Sequence, residues 1–576
     1  MAAPSTQQGG KAAGRNMTDG DERRETFNRA LTMRPFWQAF FDGTMPEHED
    51  LVPPCAVEFD PTLIYWVTKN LPHTEAVKHF LVCGTVGSGK TTVIQLFLQS
   101  IAKRFQPGHD TPEQLIIFDA KGDAIVRLKA LGLGPRSEPI PGLPRDKDIV
   151  RMNDPGSLPQ GNNVYILNPF DKRAASWNLS EAIKTPAMAR YLAALLIPEE
   201  TGSTAPYFSN TAREILYWSA LSLNKIRGSD GWTLRDLLNA VESKERIAAV
   251  TAQHNRASRV IKQHLDDERH FPGVLSTLAT KIGKFEEVAA LWHTNTSGQK
   301  FSITKFLKEP GVLILPHDPV LQKSLGPINA IILQALTDEI LRGKETKEPR
   351  HWFLLDEFRS MGDVQCIRDL LNVGRSKGAS VLIGIQSVEG LMEIYKEHVT
   401  NEMLSLCSTK TFLRAGGPFT AEWAERHFNK VRHIELTVTE TSGVTDSTSV
   451  QYQLQERSLF LPVMFLDLPF PILGGPFGAI SDIPYLRTTF ITERWFDELL
   501  GLKVDPSEED ERAEKEGNFF RSDPEEQIIT VWKPTEVAEF CDVLPPKEEP
   551  RPGTIPLISK EAQQKRRKGP HTTNED

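Results

Sequence analysis

HFLVCGTVGSGKT, residues His79–Thr91, is the stretch that decides the predicted fold. Gly84–Thr91 fits the pattern G-x-x-x-x-G-K-[ST], in which glycines let consecutive backbone N–H groups surround phosphate oxygens. The apolar run before this loop predicts a strand, and IQLFLQSIAKRF after it predicts a helix whose positive end faces the same anion. The pattern therefore predicts a nucleotide-phosphate site formed by Gly84, Thr85, Val86, Gly87, Ser88, Gly89, Lys90, Thr91 and Thr92.

Four side chains of this predicted site have separate chemical roles. Lys90 is expected to reach the β- and γ-phosphates of ATP, and Thr91 to bind Mg²⁺. The run WFLLDE at Trp352–Glu357 predicts a buried parallel strand that delivers two carboxylates to the ligand edge of the sheet. Asp356 is the second predicted Mg²⁺ ligand, and Glu357 is predicted to orient and deprotonate the attacking water. These residues predict ATP and Mg²⁺ as cofactors and hydrolysis as the reaction.

Short apolar runs rich in Val, Ile, Leu and Phe predict buried parallel strands elsewhere in the chain. They lie at residues 79–83, 114–118, 163–167, 311–315, 351–355, 381–385 and 409–413. Between about 180 and 305 the pattern changes to helical periodicity without convincing strands. The fold class predicted is α/β, a RecA-like P-loop NTPase core with an inserted all-α domain and disordered termini.

The predicted domain organisation follows these changes in pattern. Its parts are a disordered tail (1–30), an N-terminal preamble (31–72), the first part of the RecA-like nucleotide-binding domain (73–180), the inserted all-α domain (181–305), the second part of the RecA-like domain (306–500) and a mostly disordered C-terminal tail (501–576). In the C-terminal tail, ITVWKP at Ile529–Pro534 is either a short docking motif or an isolated strand. The basic run Lys565–Lys568 is either a solvated segment or a contact for DNA, anionic lipid or a partner.

Further segments carry a resemblance to one family. They are LIIFDAKGD (Leu115–Asp123), YILNPFDKRAASWN (Tyr165–Asn178), APYFSNTAREIL (Ala205–Leu216), the RSKG…GIQS stretch (Arg375–Ser387) and TKTFLRAGGPFTAEWAERHFN (Thr409–Asn429). Over roughly residues 75 to 495 the chain resembles the TraD/TrwB-type conjugative coupling proteins, relatives of the FtsK and HerA DNA-pumping motors. The resemblance implies a homo-hexamer whose all-α domain receives DNA, single-stranded in the expected case, together with a relaxase.

The resemblance also implies roles for polar residues on either side of the predicted strand at residues 381–385. Arg375 is the expected arginine finger, reaching into a neighbouring subunit's site, and Gln386 is expected to sense the γ-phosphate. Arg414 is a second candidate for the finger. The alternative for Arg375 is a helix-end arginine that satisfies local carbonyl groups or solvent.

Composition and hydropathy constrain these expectations. The net charge is −9 with a pI near 5.9, which is not the basic footprint of a simple nucleic-acid binder. A few basic residues repeated around a ring could still line a DNA channel, with Lys281, Lys284, Lys377 and Arg375 as candidates. No segment approaches 18 consecutive apolar residues, which predicts a soluble, cytoplasmic chain. Most of the coupling proteins that the chain resembles carry N-terminal membrane helices. Either docking on a channel therefore needs a membrane-anchored partner, or the protein works away from the membrane.

Five cysteines are dispersed without metal-type spacing, and the histidines form no closely spaced metal pattern. This predicts reduced thiols, with Cys83 beside the phosphate loop as a candidate for alkylation. The function predicted is an ATP-driven DNA translocase that delivers DNA or a DNA–relaxase complex to a type IV secretion channel. The alternatives are a cytosolic HerA-like motor in DNA processing or defence, and an ATP-gated adaptor that recruits protein substrates.

Overall fold

The computed structural model describes residues 62–67, 69–106, 112–130, 164–199, 205–228, 231–294, 299–428, 430–441, 447–470, 476–484, 488–495 and 527–541. The strands are β1 (Leu63–Trp66), β2 (Lys69–Pro72), β3 (Phe80–Cys83), β4 (Gln114–Asp119), β5 (Val164–Ile166), β6 (Ser176–Trp177), β7 (Lys300–Phe301), β8 (Gly311–Pro316), β9 (Thr346–Leu355), β10 (Lys377–Ile385), β11 (Thr409–Phe412), β12 (Lys430–Thr441), β13 (Ser447–Ser458), β14 (Pro476–Ile483) and β15 (Thr488–Trp495). The predicted tail 1–30, Cys55 and the basic run 565–568 lie outside the described residues.

The helices surround and interrupt this series of strands. They are α1 (Lys90–Ile101), α2 (Ala124–Ala130), α3 (Pro186–Leu196), α4 (Ala205–Arg227), α5 (Leu234–Ala240), α6 (Lys244–Ala252), α7 (Asn255–Leu265), α8 (Phe271–Ile282), α9 (Glu286–His293), α10 (Ile303–Phe306), α11 (Gln322–Arg342), α12 (Cys366–Asn372), α13 (Val388–Leu406), α14 (Pro418–His427), α15 (Pro462–Leu466) and α16 (Pro534–Cys541). Short 3₁₀ turns lie between several of them, including Gly374–Ser376 just before β10.

A nine-stranded sheet in the order β15-β14-β11-β3-β10-β9-β4-β8-β5 forms the centre of the described fold. The strands from β11 to β5 are mutually parallel, and each coincides with one of the apolar runs identified in the sequence. β3, β4, β5, β8 and β10 are apolar and buried along most of their length, as is the C-terminal half of β9, which is the pattern of a parallel sheet covered on both faces. β11, with the sequence TKTF, is buried although it contains Thr and Lys. The predicted α/β class and the predicted strands are confirmed.

The described residues also contain strands that the sequence did not predict. β14 and β15 extend the sheet as antiparallel strands beyond β11, and β12 pairs with β13 as a separate antiparallel hairpin. Their sequences interleave Thr, Ser, Gln and charged residues with apolar ones. They therefore lack the continuous apolar run by which the buried parallel strands are recognised.

The insertion between β6 and β7 is helical, as the periodicity predicted. α3 to α9 follow one another from Pro186 to His293, and Leu237 and Ile247 are among the side chains completely buried between them. β6 pairs in parallel with β7, so the two ends of the insertion leave the sheet domain side by side. The chain therefore returns from the insertion to the sheet domain at β7, before β8 begins.

Parallel pairing determines where polar loop residues meet. The register places Cys83 of β3 beside Ile385 of β10 and Phe412 of β11, and places Leu355 of β9 beside Phe118 of β4. The residues that follow these strands therefore emerge at one edge of the sheet. The carboxyl edge of a parallel sheet is the usual place for a ligand site.

Candidate nucleotide site

The loop after β3 has the curved backbone that its glycines predict. Gly89, the residue before α1, has a left-handed φ of 98°, which glycine adopts without the penalty that other residues incur. Gly84 is needed for a different reason: a Cβ there would lie 2.5 Å from Ser88 Oγ and 2.7 Å from Leu413 Cβ. The Ser88 hydroxyl donates to Thr85 O at 2.7 Å and fixes the turn from inside.

Lys90 begins α1 and directs its ammonium back into the loop. Its Nζ donates to Gly84 O at 2.6 Å and to Thr85 O at 3.2 Å. Burial lowers the pKa of Lys90, whereas Glu357 and Asp356 favour its charged form. The Lys90 ammonium therefore lies beside the N-terminus of α1, and both the ammonium and the helix N-terminus attract an anion.

Asp356 and Glu357 follow β9 at the same edge. Asp356 is buried, and among the described residues its Oδ1 has no hydrogen-bond partner. Glu357 has a left-handed backbone with φ 62° and ψ 58°, and its Oε2 accepts a hydrogen bond from Gln386 Nε2 at 2.5 Å. A non-glycine residue held in this region costs about 1–3 kcal/mol, a strain that is concentrated at functional sites.

Lys121 is a site residue that the sequence patterns did not predict. Its Nζ donates to Thr91 Oγ1 at 2.6 Å and lies 3.3 Å from Asp356 Oδ2. The turn that carries Lys121 is fixed by Asp119, whose carboxylate accepts from the backbone N–H groups of Gly122 and Ala124. Burial raises the pKa of Asp119. Lys121 could have been identified in the sequence from its position in the Leu115–Asp123 segment, directly after a buried strand.

The oxygens around Lys121 fit a divalent cation. Mg²⁺ prefers hydroxyl and carboxylate oxygen ligands, which Thr91 and Asp356 supply. Lys121 Nζ contacts both Thr91 Oγ1 and Asp356 Oδ2, so these two oxygens are close enough together to contact one positive charge. The unpartnered Oδ1 of Asp356 offers a further buried acceptor in the described part of the chain.

Arg375 does not join this site in its own chain. It is exposed in the Gly374–Ser376 turn before β10, whereas Gln386 follows the other end of that strand. The nine residues of β10 separate the two by roughly 30 Å at about 3.3 Å per residue. A role for Arg375 at a phosphate therefore requires the site of another subunit.

Arg414, the second finger candidate, contacts its own chain. Its backbone carbonyl accepts the N–H of Thr85 at 2.8 Å, which ties β11 to the phosphate loop. Its guanidinium donates to Leu468 O at 3.2 Å and lies 4.7 Å from the centre of the Phe470 ring. The side chain thus anchors residues 468–470.

Cys83 lies beside the loop without the reactivity that its position suggested. The side chain is 1% exposed, and burial raises the pKa of its thiol to about 12. Because the thiolate is the nucleophile, a buried thiol with this pKa reacts slowly with alkylating reagents. The expectation that Cys83 is sensitive to alkylation is wrong for the folded protein.

The fold and the loop define the class: a RecA-like P-loop protein with an inserted all-α domain. Residues 67–490 match the family model of the type IV secretion-system coupling protein DNA-binding domain, and the chain belongs to that family. It is similar to the coupling protein TraD of Escherichia coli (strain K12), with 21% identity over 418 residues. The match covers 70% of this chain and 52% of TraD, so the chain spans about half the length of that relative.

Solved structures show the same fold. The bacterial conjugative coupling protein TrwBdeltaN70, in its unbound monoclinic form, has 17% identity and a TM-score of 0.53 over 77% of this chain and 90% of its own. The plasmid coupling protein TrwB in complex with ADP and Mg²⁺ has 17% identity and a TM-score of 0.52 over 76% of this chain and 90% of its own. The predicted family resemblance is confirmed. Within the described residues, every helix is too short or too polar to cross a membrane.

Proposed function

We propose that this chain is an ATP-driven motor that delivers DNA, or DNA bound to a relaxase, to a type IV secretion channel. The observation that carries the proposal is the Glu357–Gln386 hydrogen bond beside Asp356, at the edge of the sheet where the phosphate loop begins. A site that only bound nucleotide would not need a carboxylate held in a strained conformation there. Membership of the coupling-protein family supports DNA as the cargo.

Nucleotide binding would use the loop as a preformed anion site. The backbone N–H groups of the loop and the N-terminus of α1 would bind phosphate oxygens, with Lys90 supplying charge. The Lys90 ammonium would exchange its bonds to Gly84 O and Thr85 O for bonds to the β- and γ-phosphates. The TrwB complex with ADP and Mg²⁺ has the same fold, which supports ATP and Mg²⁺ as ligands here.

Hydrolysis would use the groups that follow β9 and β10. Thr91 and Asp356 would hold Mg²⁺, which when bound neutralises charge on the phosphates. Glu357 would accept a proton from the water whose oxygen attacks the γ-phosphorus, as the bond to the β–γ bridging oxygen breaks. Gln386 holds the Glu357 carboxylate in position and would transmit the loss of the γ-phosphate to β10 and α13.

The exposed position of Arg375 supports assembly into a ring. At the opposite end of β10 from the site, its guanidinium would complete the site of an adjacent subunit, as expected in a homo-hexamer. Hydrolysis would then occur between subunits, and each site would depend on its neighbour. The motor would act in the cytoplasm and meet its channel through a membrane-anchored partner.

We expect Lys121→Met to lower the Mg²⁺ concentration needed for nucleotide binding. Lys121 contacts Thr91 and Asp356, the side chains that would hold Mg²⁺, so its ammonium competes with the ion. The Lys121 side chain is 45% exposed, and a solvent-screened pair of this kind is worth at most about 1 kcal/mol, or roughly a 2–5-fold change. Titrating Mg²⁺ against a fluorescent ADP analogue measures the half-saturating concentration. Lys121→Arg keeps the charge and serves as the control; an unchanged value in Lys121→Met contradicts competition.

The proposed cargo predicts that DNA stimulates ATP hydrolysis. We expect single-stranded DNA to raise steady-state turnover of the purified protein several-fold, because a motor couples its hydrolytic step to occupancy of the translocation path. Turnover is measured without nucleic acid, with single-stranded DNA and with double-stranded DNA, and Glu357→Gln provides the background in each case. Turnover that DNA leaves unchanged would contradict a DNA motor and favour an adaptor for protein substrates.

A further inference from the structure

The segment Gln527–Cys541, here called the docked segment, packs on the all-α domain although it follows that domain by more than two hundred residues in the sequence. Trp532 and Phe540 are 4% and 1% exposed, and their rings stack in parallel with centroids 4.5 Å apart. The surface beneath them, here called the docking groove, is formed by Arg227, Arg235, Asp236, Asn239 and Arg246. None of these groove residues belongs to the nucleotide site.

Arg235 is the centre of the docking groove. It is 1% exposed, and its Nε donates to Thr530 O at 2.8 Å while Nη2 donates to Val531 O at 3.1 Å. The same guanidinium binds both carboxylate oxygens of Glu536, at 3.0 Å and 3.2 Å. A buried arginine that binds two main-chain carbonyls and a carboxylate recognises both the backbone and one side chain of a peptide.

Trp532 supplies the second anchor. Its indole Nε1 donates to Asp236 Oδ1 at 3.0 Å, and its backbone N–H donates to Asn239 Oδ1 at 3.2 Å. The guanidinium of Arg246 lies 5.6 Å from the centre of the indole ring. A desolvated tryptophan with a satisfied N–H and a cation above its ring has the features of an interface hot spot.

The docked segment has little structure that it could keep alone. α16 has eight residues, shorter than the length at which an isolated helix is stable in water. Ile528 and Val531 are 65% and 56% exposed, so the segment lies on the domain and does not run through its interior. Its order therefore derives from the contacts of Trp532, Glu536 and Phe540 with the docking groove.

From this geometry we propose that the docking groove is a peptide-recognition site whose resident ligand is the chain's own residues 527–541, bound reversibly. The ligand class is a peptide with Trp, then Glu four positions later and an aromatic residue eight positions later, as in Trp532, Glu536 and Phe540. Docking of the segment covers Arg235, and release exposes it. The C-terminal segment thereby controls access to this face of the all-α domain.

Release of the segment in the full-length chain tests the proposal. The double substitution Trp532→Ala and Glu536→Gln removes both anchors, and the probe is a fluorescein-labelled synthetic peptide of residues 527–541. We expect the peptide to bind the double variant at least ten-fold more tightly than the wild-type chain, whose groove is already filled. It should also raise the apparent Tm of the variant. Equal binding to both chains, or no binding to the folded variant, would overturn the proposal.

Thr535→Val is the control, because Thr535 is an exposed residue of the docked segment that lies between the two substituted positions. This variant should bind the probe as weakly as the wild type does.

A second measurement needs no folded variant: amide hydrogen exchange in the wild-type chain. A reversibly docked segment predicts that the amides of Trp532 and Val537 exchange at least ten-fold faster than those of α5 and α6. Exchange at the same rate would show that the segment opens only with the domain and would overturn the proposal.

Discussion

Glu357→Gln is expected to lower ATP turnover by about 10²–10⁴-fold while nucleotide binding stays within a few-fold of wild type. The substitution removes the carboxylate that would accept the proton of the attacking water. It leaves an amide oxygen that can still accept the hydrogen bond from Gln386 Nε2. Glutamine is close in size to glutamate and introduces no branch at Cβ, so the left-handed backbone at this position should persist. Glu357→Gln therefore tests the loss of proton transfer to residue 357 while the geometry of the site is kept.

Two assays separate these effects. Steady-state phosphate release gives turnover, and a fluorescent ATP analogue gives the dissociation constant in the presence of Mg²⁺. Glu393→Gln is the matched control, because it makes the same chemical change in an exposed carboxylate that pairs with Arg359. A Glu357→Gln chain with undiminished turnover would refute the assignment of Glu357 as the base. A large loss of binding would instead indicate that the carboxylate has a structural role.

Lys90→Ala is expected to weaken ATP binding by roughly 10²-fold or more and to abolish measurable turnover. A charge-assisted hydrogen bond contributes about 1.5–3 kcal/mol, and in the proposed mechanism Lys90 would make at least one such bond to each of two phosphates. Lys90 as a whole is 7% exposed, so water cannot readily replace its ammonium inside the loop. Binding of a fluorescent ATP analogue measures the loss directly.

Lys90→Arg serves as the stringent control for this prediction. It preserves the positive charge, but a planar guanidinium cannot reproduce the compact bonds that Nζ makes to Gly84 O and Thr85 O. We expect this variant to remain at least 10-fold weaker than wild type. Thermal unfolding of both variants checks that the loop substitution has not unfolded the domain. Wild-type affinity in Lys90→Ala would mean that the loop binds nucleotide without its lysine, contrary to the proposed mechanism.

The accuracy of the sequence predictions differed between the parallel core and the later strands for a physical reason. Strands covered on both faces require continuous apolar runs, so β3, β4 and β9 could be recognised from local pattern alone. β12 and β13 mix polar and apolar residues, and their pairing depends on register along a hairpin. The docked segment shows the same limit. ITVWKP could be recognised as unusual within the tail, but its partner Arg235 lies 295 positions away from Thr530.

The sequence by itself determined the phosphate loop, because the spaced glycines, Lys90 and Thr91 all lie within eight consecutive residues. The conformation of the loop therefore depends on local backbone and side-chain groups. The sequence also determined that Asp356 and Glu357 would follow a buried strand. Only the tertiary structure decided that Lys121 contacts Thr91 and Asp356, and that Glu357 is left-handed and bonded to Gln386. Those contacts depend on the order in which parallel strands pair. Strand order is set by packing over the whole domain, and no local stretch of sequence encodes it.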